Sequence, residues 1–125
     1  MVMDNNSIRG DFVYRVDKYE KIINIICYMK GIEENDLCKI LKDKDYKYLL
    51  FLFLKKYKCD NLDRINRDFF INNKKIVNYN FKKAQEKLLI NSHFREIYFE
   101  IEKEIEKWNK KQQEKYSNKR RNVIL

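Results

Sequence analysis

The chain has 125 residues, a formal net charge of +9, no proline and only 2 glycines. That length suits one domain around one modest core, and the near absence of helix breakers predicts an all-α fold. The longest apolar run, Leu49 to Leu54, is far short of the roughly 20 residues needed to span a bilayer, so no membrane partner is expected.

Residues 1–14 are polar and irregular and are expected to form a flexible N-terminal arm. From Val16 onward, Tyr19, Ile22, Ile23, Ile26 and Met29 recur at helical spacing, and Gly31 supplies a left-handed stop. Asn35 or Asp36 is placed to cap a short helix carrying Leu37, Ile40 and Leu41. Asp43 or Asp45 can cap the next segment, YKYLLFLFLKKYK, whose unbroken apolar run does not by itself separate a buried strand from a buried helix. No partner strand is apparent elsewhere and lysines flank the run, so a central core helix is expected. Asp60 or Asn61 starts a short helix with Leu62 and Ile65, followed by a turn from Phe69 to Asn72.

A long helix is then expected from about Asn73 to Ile90, with Val77, Phe81, Leu88 and Leu89 on its core face. Tyr79 fits either core or surface. Asn91 and Ser92 mark a further helix start, after which Phe94, Ile97, Tyr98, Ile101, Ile105 and Trp108 form one apolar stripe. The opposite face carries Glu96, Glu100, Glu102, Glu104 and Glu106, which would repel phosphates and so should lie behind the domain. Residues 110–125 form a basic C-terminal tail ending KRRNVIL, expected to fray. The organisation is thus a single compact helical domain of about six helices over residues 15–109, with an arm and a tail.

Few residues suggest reaction chemistry. Cys27, Cys38 and Cys59 lack the short pair spacing of a zinc site, and Cys27 falls on an apolar helical face as a core residue. The one histidine, His93, is expected at the surface of a first helical turn, without a nucleophile or carboxylate set to work with. The phosphate-loop pattern GxxxxGK[ST] is absent. These features point to no enzyme, no cofactor and no metal, and to a reducing, cytoplasmic setting.

The basic surplus favours a polyanion. An AT-rich genome would also encode abundant Lys, Asn, Ile and Tyr, so the placement of the charge matters more than its total. Placement singles out Phe69 to Arg95, FFINNKKIVNYNFKKAQEKLLINSHFR, where paired asparagines and paired lysines lead into a helix. Asparagine can pair bidentately with adenine, lysine can donate to guanine and isoleucine can touch a thymine methyl, all from the leading end of a helix in the major groove. Asn72, Asn73, Lys74, Lys75 and Ile76 hold that end, with Lys82 and Lys83 about two turns on, where phosphate contact is natural. Either asparagine could instead cap the helix while the other reads bases.

The segments KIINIICYMKGIEENDLCKIL, KYLLFLFLKKYKCDNLDRI and FFINNKKIVNYNFKKAQEKLLINSHFR, taken in order, resemble the C-terminal DNA-binding domain of the bacterial chromosomal replication initiator DnaA, a Trp-repressor-like helix-turn-helix fold. Ile65, Phe69, Val77, Tyr79, Lys82 and Lys83 fall on family positions. The resemblance implies that Lys47 and Tyr48 face the DNA backbone, where the family has an Arg-Gln pair. It also makes Lys39 or Lys42 the nearest counterpart of the family's minor-groove arginine. The chain departs from the family at its reading head, where Arg-Asp-His is replaced by Asn72, Asn73 and Lys74. Phe70 and Ile71 stand where the family has two turn glycines, which leaves Asn72 as the expected left-handed residue. A free-standing, divergent copy of the reading domain is implied, binding double-stranded DNA as a replication or transcription regulator associated with the nucleoid. A monomer is plausible, since the family's domain reads DNA as a single unit. The alternative is a helical module that kept the fold, lost base reading and binds a replication or regulatory protein.

Overall fold

An unbroken apolar run survives as a helix only when every side of it is covered, and that requirement organises this molecule. The computed structural model describes the backbone of residues 16–124 and side chains as far as Glu114; the expected N-terminal arm lies outside the described residues. Six helices are present: α1 (Lys18–Lys30), α2 (Cys38–Lys42), α3 (Lys44–Lys56), α4 (Leu62–Phe69), α5 (Lys74–Ile90) and α6 (Ser92–Ile124). No strand occurs among the described residues.

Helix α3 is the central element, with Leu49 to Leu54 all buried. It packs against α1, α2 and α5, while Tyr98 of α6 stacks on Phe53 with ring centroids 4.9 Å apart. Around it the core is completed by Ile22 and Ile26 of α1, Ile40 of α2, Ile65 of α4, Val77 and Ala84 of α5, and Phe94, Ile101 and Ile105 of α6. Each fully buried aliphatic or aromatic side chain contributes about 1.5–3 kcal/mol.

The ends are set by local chemistry. Asp17 caps α1 by accepting the Glu20 N–H at 3.0 Å. At the other end Gly31 adopts φ 79, and the N–H groups of Gly31 and Ile32 both reach the Cys27 carbonyl. Asp43, rather than Asp45, caps α3: its Oδ1 accepts the N–H groups of Asp45 and Tyr46, and its Oδ2 accepts Lys30 Nζ at 2.8 Å. Asn61 caps α4 and Asn73 caps α5. The expected cap of α2 is not formed. Leu37 precedes that helix without a side-chain bond, because Asp36 pairs instead with Lys39 at 2.9 Å.

Helix α4 is held to the start of α1 by a polar cluster. Tyr19 Oη donates to Asp68 Oδ2 at 2.8 Å, Arg64 binds Asp17, and the guanidinium of Arg64 lies 4.1 Å from the centre of the Tyr19 ring. Arg67 also binds Asp68 at 2.9 Å and holds its carboxyl below the usual carboxylate range, against the opposing effect of burial. The hydrogen bond from Arg64 does the same for Asp17.

Several expectations need correction. The left-handed residue after α4 is Phe70 (φ 58), not Asn72: the helix runs through Phe69, the Phe70 N–H still bonds the Asn66 carbonyl, and the chain leaves the helix at Phe70 itself. Such a conformation costs a residue other than glycine roughly 1–2 kcal/mol. Leu89 is not core but 80% exposed, since the stripe of α5 that meets α3 is narrow and passes through Val77, Phe81, Ala84 and Leu88. The acidic face of α6 is not wholly set aside behind the domain. Glu102 takes Lys56, and Glu106 takes the Tyr57 hydroxyl, both at the carboxyl end of α3. Helix α6 itself continues to Ile124, past residue 110, where a tail was expected.

Candidate nucleic-acid interface

Helix α5 lies antiparallel to α3. Near its start, Asn78 Oδ1 accepts Lys55 Nζ at 2.8 Å; near its end, Lys87 pairs with Asp45. Because α3 and α5 are joined at both ends, one side of α5 is committed to the core and the opposite side is free. The two cations that join the helices, Lys55 of α3 and Lys87 of α5, are both satisfied within the domain. Lys55 also lies near Asp60 and over the Phe81 ring, and Lys87 over the Phe94 ring.

The free side carries different residues. Lys75 and Lys82 are seven positions apart, two turns of helix, and therefore share one face about 10 Å apart along the axis. Tyr79 lies between them and is exposed, so it belongs to the surface and not to the core. Lys74, Lys75 and Lys82 are exposed and form no ion pair among the described residues. Lys83 is partly engaged, 3.6 Å from Glu86 and 5.6 Å from the centre of the Tyr79 ring.

The two asparagines divide their roles. Asn73 Oδ1 accepts the Lys75 N–H at 2.8 Å, making Asn73 the cap, while the Ile76 N–H goes to the Asn73 carbonyl. Asn72 is exposed and does not cap. Ile76 is also exposed, one residue before the buried Val77. The structure therefore brings Asn72, Asn73, Lys74, Lys75 and Ile76 to one helix end, with Lys82 and Lys83 further along the same helix.

The remaining candidates lie elsewhere. Tyr48 is 7% exposed and belongs to the core, so its expected place on a DNA-facing surface is corrected: the face of α3 on which it stands is covered, and its ring lies 5.9 Å from Lys87 Nζ. Lys47 is half-buried over the Tyr48 ring and stands two residues from Asp45, near the trailing end of α5 rather than its start. Lys39 is exposed but paired with Asp36, whose hydrogen bond raises its pKa; Lys42 is exposed without an ion pair among the described residues. Both belong to α2, which packs on α3 and α4.

One residue of this surface was not anticipated. Phe70, in the turn into α5, is 79% exposed. Its replacement of a glycine in the resembled family was the only signal available in the sequence. The described residues contain no cluster of His, Cys, Asp and Glu able to hold a metal ion, and no helix long and apolar enough to cross a membrane. Compared with family models, with curated proteins and with solved structures, the chain gives no match in any of the three.

Proposed function

We propose that the chain is a double-stranded DNA-binding protein of the helix-turn-helix type, with α4 and α5 as the motif, acting as a replication or transcription regulator on the nucleoid. The supporting observation is the sorting of cations along α5 and its junction with α3. Lys55 of α3 and Lys87 of α5 are paired where the two helices meet, whereas Lys74, Lys75 and Lys82 of α5 are exposed and form no ion pair among the described residues. Positive charge in the first turn also opposes the helix dipole, and no acidic residue offsets it there. Phosphates would supply the missing counter-charge. In this reading Asn72 and Lys74 approach base edges, Ile76 meets a thymine methyl, and Lys75, Lys82 and Lys83 hold phosphates. The resemblance to the initiator's reading domain supports the same surface. Lys39, Lys42 and Lys47 are left as peripheral backbone contacts, and Tyr48 takes no part.

The second reading, a module that binds a replication or regulatory protein, draws on the exposed Leu89 and Ile90 at the far end of α5. Selection of bound duplexes from a random pool tests the first. Recovery of an enriched motif, lost when Lys74, Lys75 and Lys82 are all changed to alanine in a folded protein, supports it. Equal binding by that triple variant refutes the assigned face, and absence of any duplex binding refutes the function.

A further inference from the structure

Phe70 is badly placed for folding and well placed for something else. Phe51, Phe53, Phe69 and Phe94 are buried in the core, but the ring of Phe70 projects into solvent. Its backbone sits at φ 58, a conformation that glycine would hold with less strain. The left-handed turn ends α4, with the Phe70 N–H making the last helical bond to the Asn66 carbonyl. The aromatic side chain is not required by that turn. A large apolar group is thus held in a strained position, outside the core, at the tip of the connection between α4 and α5.

Polar and cationic residues accompany it as well as apolar ones. Asn72, Asn73, Lys74 and Lys75 follow within five residues, and the nearby outer face of α5 adds Ile76, Tyr79 and Lys82. An isolated aromatic ring beside lysines complements a partner that offers anionic charge and flat apolar faces together. Nucleic acid has both, in its phosphates and its bases. DNA-bending proteins insert such side chains between base pairs and open the stack, most easily at pyrimidine–purine steps.

We infer that Phe70 is an aromatic wedge that enters a base step of bound duplex DNA while Lys74 and Lys75 hold the flanking phosphates. This rests on the DNA-binding reading of the α5 surface and adds to it a deformation of the DNA and a preference for easily unstacked steps.

The test uses the full chain and a duplex of about 25 base pairs rich in TA and CA steps, with 2-aminopurine replacing adenine at those steps. Unstacking is read as a rise in 2-aminopurine fluorescence, and affinity by fluorescence anisotropy on an end-labelled copy. Wild type is expected to raise the fluorescence, and Phe70→Trp to preserve the rise. Phe70→Ala is expected to bind about tenfold more weakly and to leave the fluorescence unchanged. Phe70→Gly guards against a folding artefact: it relieves the positive φ, so its melting temperature should rise while the fluorescence signal disappears. Wild type that binds duplex without any fluorescence change overturns the wedge and leaves the DNA-binding reading standing. The wedge is equally overturned if the alanine and glycine variants match wild type in both measurements. Failure of wild type to bind duplex at all overturns both, and would direct attention to an acidic protein partner.

Discussion

Lys55 of α3 donates its ammonium to the side-chain carbonyl of Asn78 in α5 at 2.8 Å, at the end of the helix pair opposite the Lys87–Asp45 contact. The two contacts lie at opposite ends of the α3–α5 pair, whose apolar stripe through Val77, Phe81, Ala84 and Leu88 decides which lysines face outward. Helix α5 is thus tied to α3 through Lys55 and Lys87, while Lys74, Lys75 and Lys82 form no ion pair among the described residues.

Replacing Lys87 with methionine keeps most of the packing over Phe94 and Tyr48 but leaves Asp45 unpaired. Both side chains are partly exposed, so the expected loss is at most about 1 kcal/mol. Urea unfolding should show a lower midpoint with an unchanged slope. A midpoint equal to wild type would mean that the pair does not help to hold α5.

Changing Lys75 to glutamine should move stability and binding in opposite directions. Removing a positive charge from the first turn relieves the dipole mismatch, and the fold should gain about 0.5 kcal/mol. Loss of one phosphate contact should flatten the dependence of log K on log salt by about 0.9. Thermal melts and binding titrations across a salt series measure the two effects. Lys47→Gln, near the other end of α5, serves as a comparison and, as a peripheral contact, is expected to flatten the salt slope by less.

Asn80 is 4% exposed on the core side of α5. Its Nδ2 donates to the Ile76 carbonyl at 2.8 Å, but its Oδ1 is buried without a hydrogen bond. An orphan acceptor costs about 1–3 kcal/mol, so Asn80→Leu, of similar size, should stabilise the protein by about 1 kcal/mol. Denaturant unfolding decides this; a clear fall in stability would show that the amide is worth more than its missing bond suggests.

Acid should weaken the joint between α1 and α4 and the cap of α3. Asp17 and Asp68 have depressed pKa values because of the hydrogen bonds from Arg64 and Arg67. At Asp43, burial opposes ionisation, but Lys30 and the N–H groups of Tyr46 and Asp45 outweigh it and the pKa is again lowered. A depressed folded-state value means that the stabilisation is complete above the ordinary carboxylate value of 3.8 and is lost as pH falls from there through the folded-state value. Melting temperature should hold steady from pH 7 to about 5 and then drop below about 4. In an Asp43→Asn, Asp68→Asn double variant the drop should be shallower from a lower starting point.

The exposed and the buried thiol should separate by reactivity. Cys38 is exposed, whereas burial, helped by Glu34, pushes Cys27 up to about 11. Brief alkylation of the native protein, followed by mass spectrometry, should therefore modify Cys38 and spare Cys27. Early modification of Cys27 would show that α1 opens readily.

Much of the fold is legible in the chain because it depends on neighbours close in sequence. Helical spacing from Tyr19 to Met29, the glycine stop at residue 31 and the asparagines at 61, 73 and 91 place helix boundaries through local hydrogen bonds alone. The concentration of Lys74, Lys75, Lys82 and Lys83 on one helix is likewise a matter of residue order. Lys83 meets Glu86 only three positions on, but which other cations are engaged is not legible in order, because ion pairs such as Lys87–Asp45 and Lys56–Glu102 join residues more than forty positions apart. Tyr48 and Leu89 exchanged their expected places for the same reason: a helix shows its periodicity, but only the neighbours packed on it decide which stripe is covered. Phe70 is the sharpest case. Order alone made it a departure from a glycine pattern, and only the tertiary structure leaves its ring outside the core.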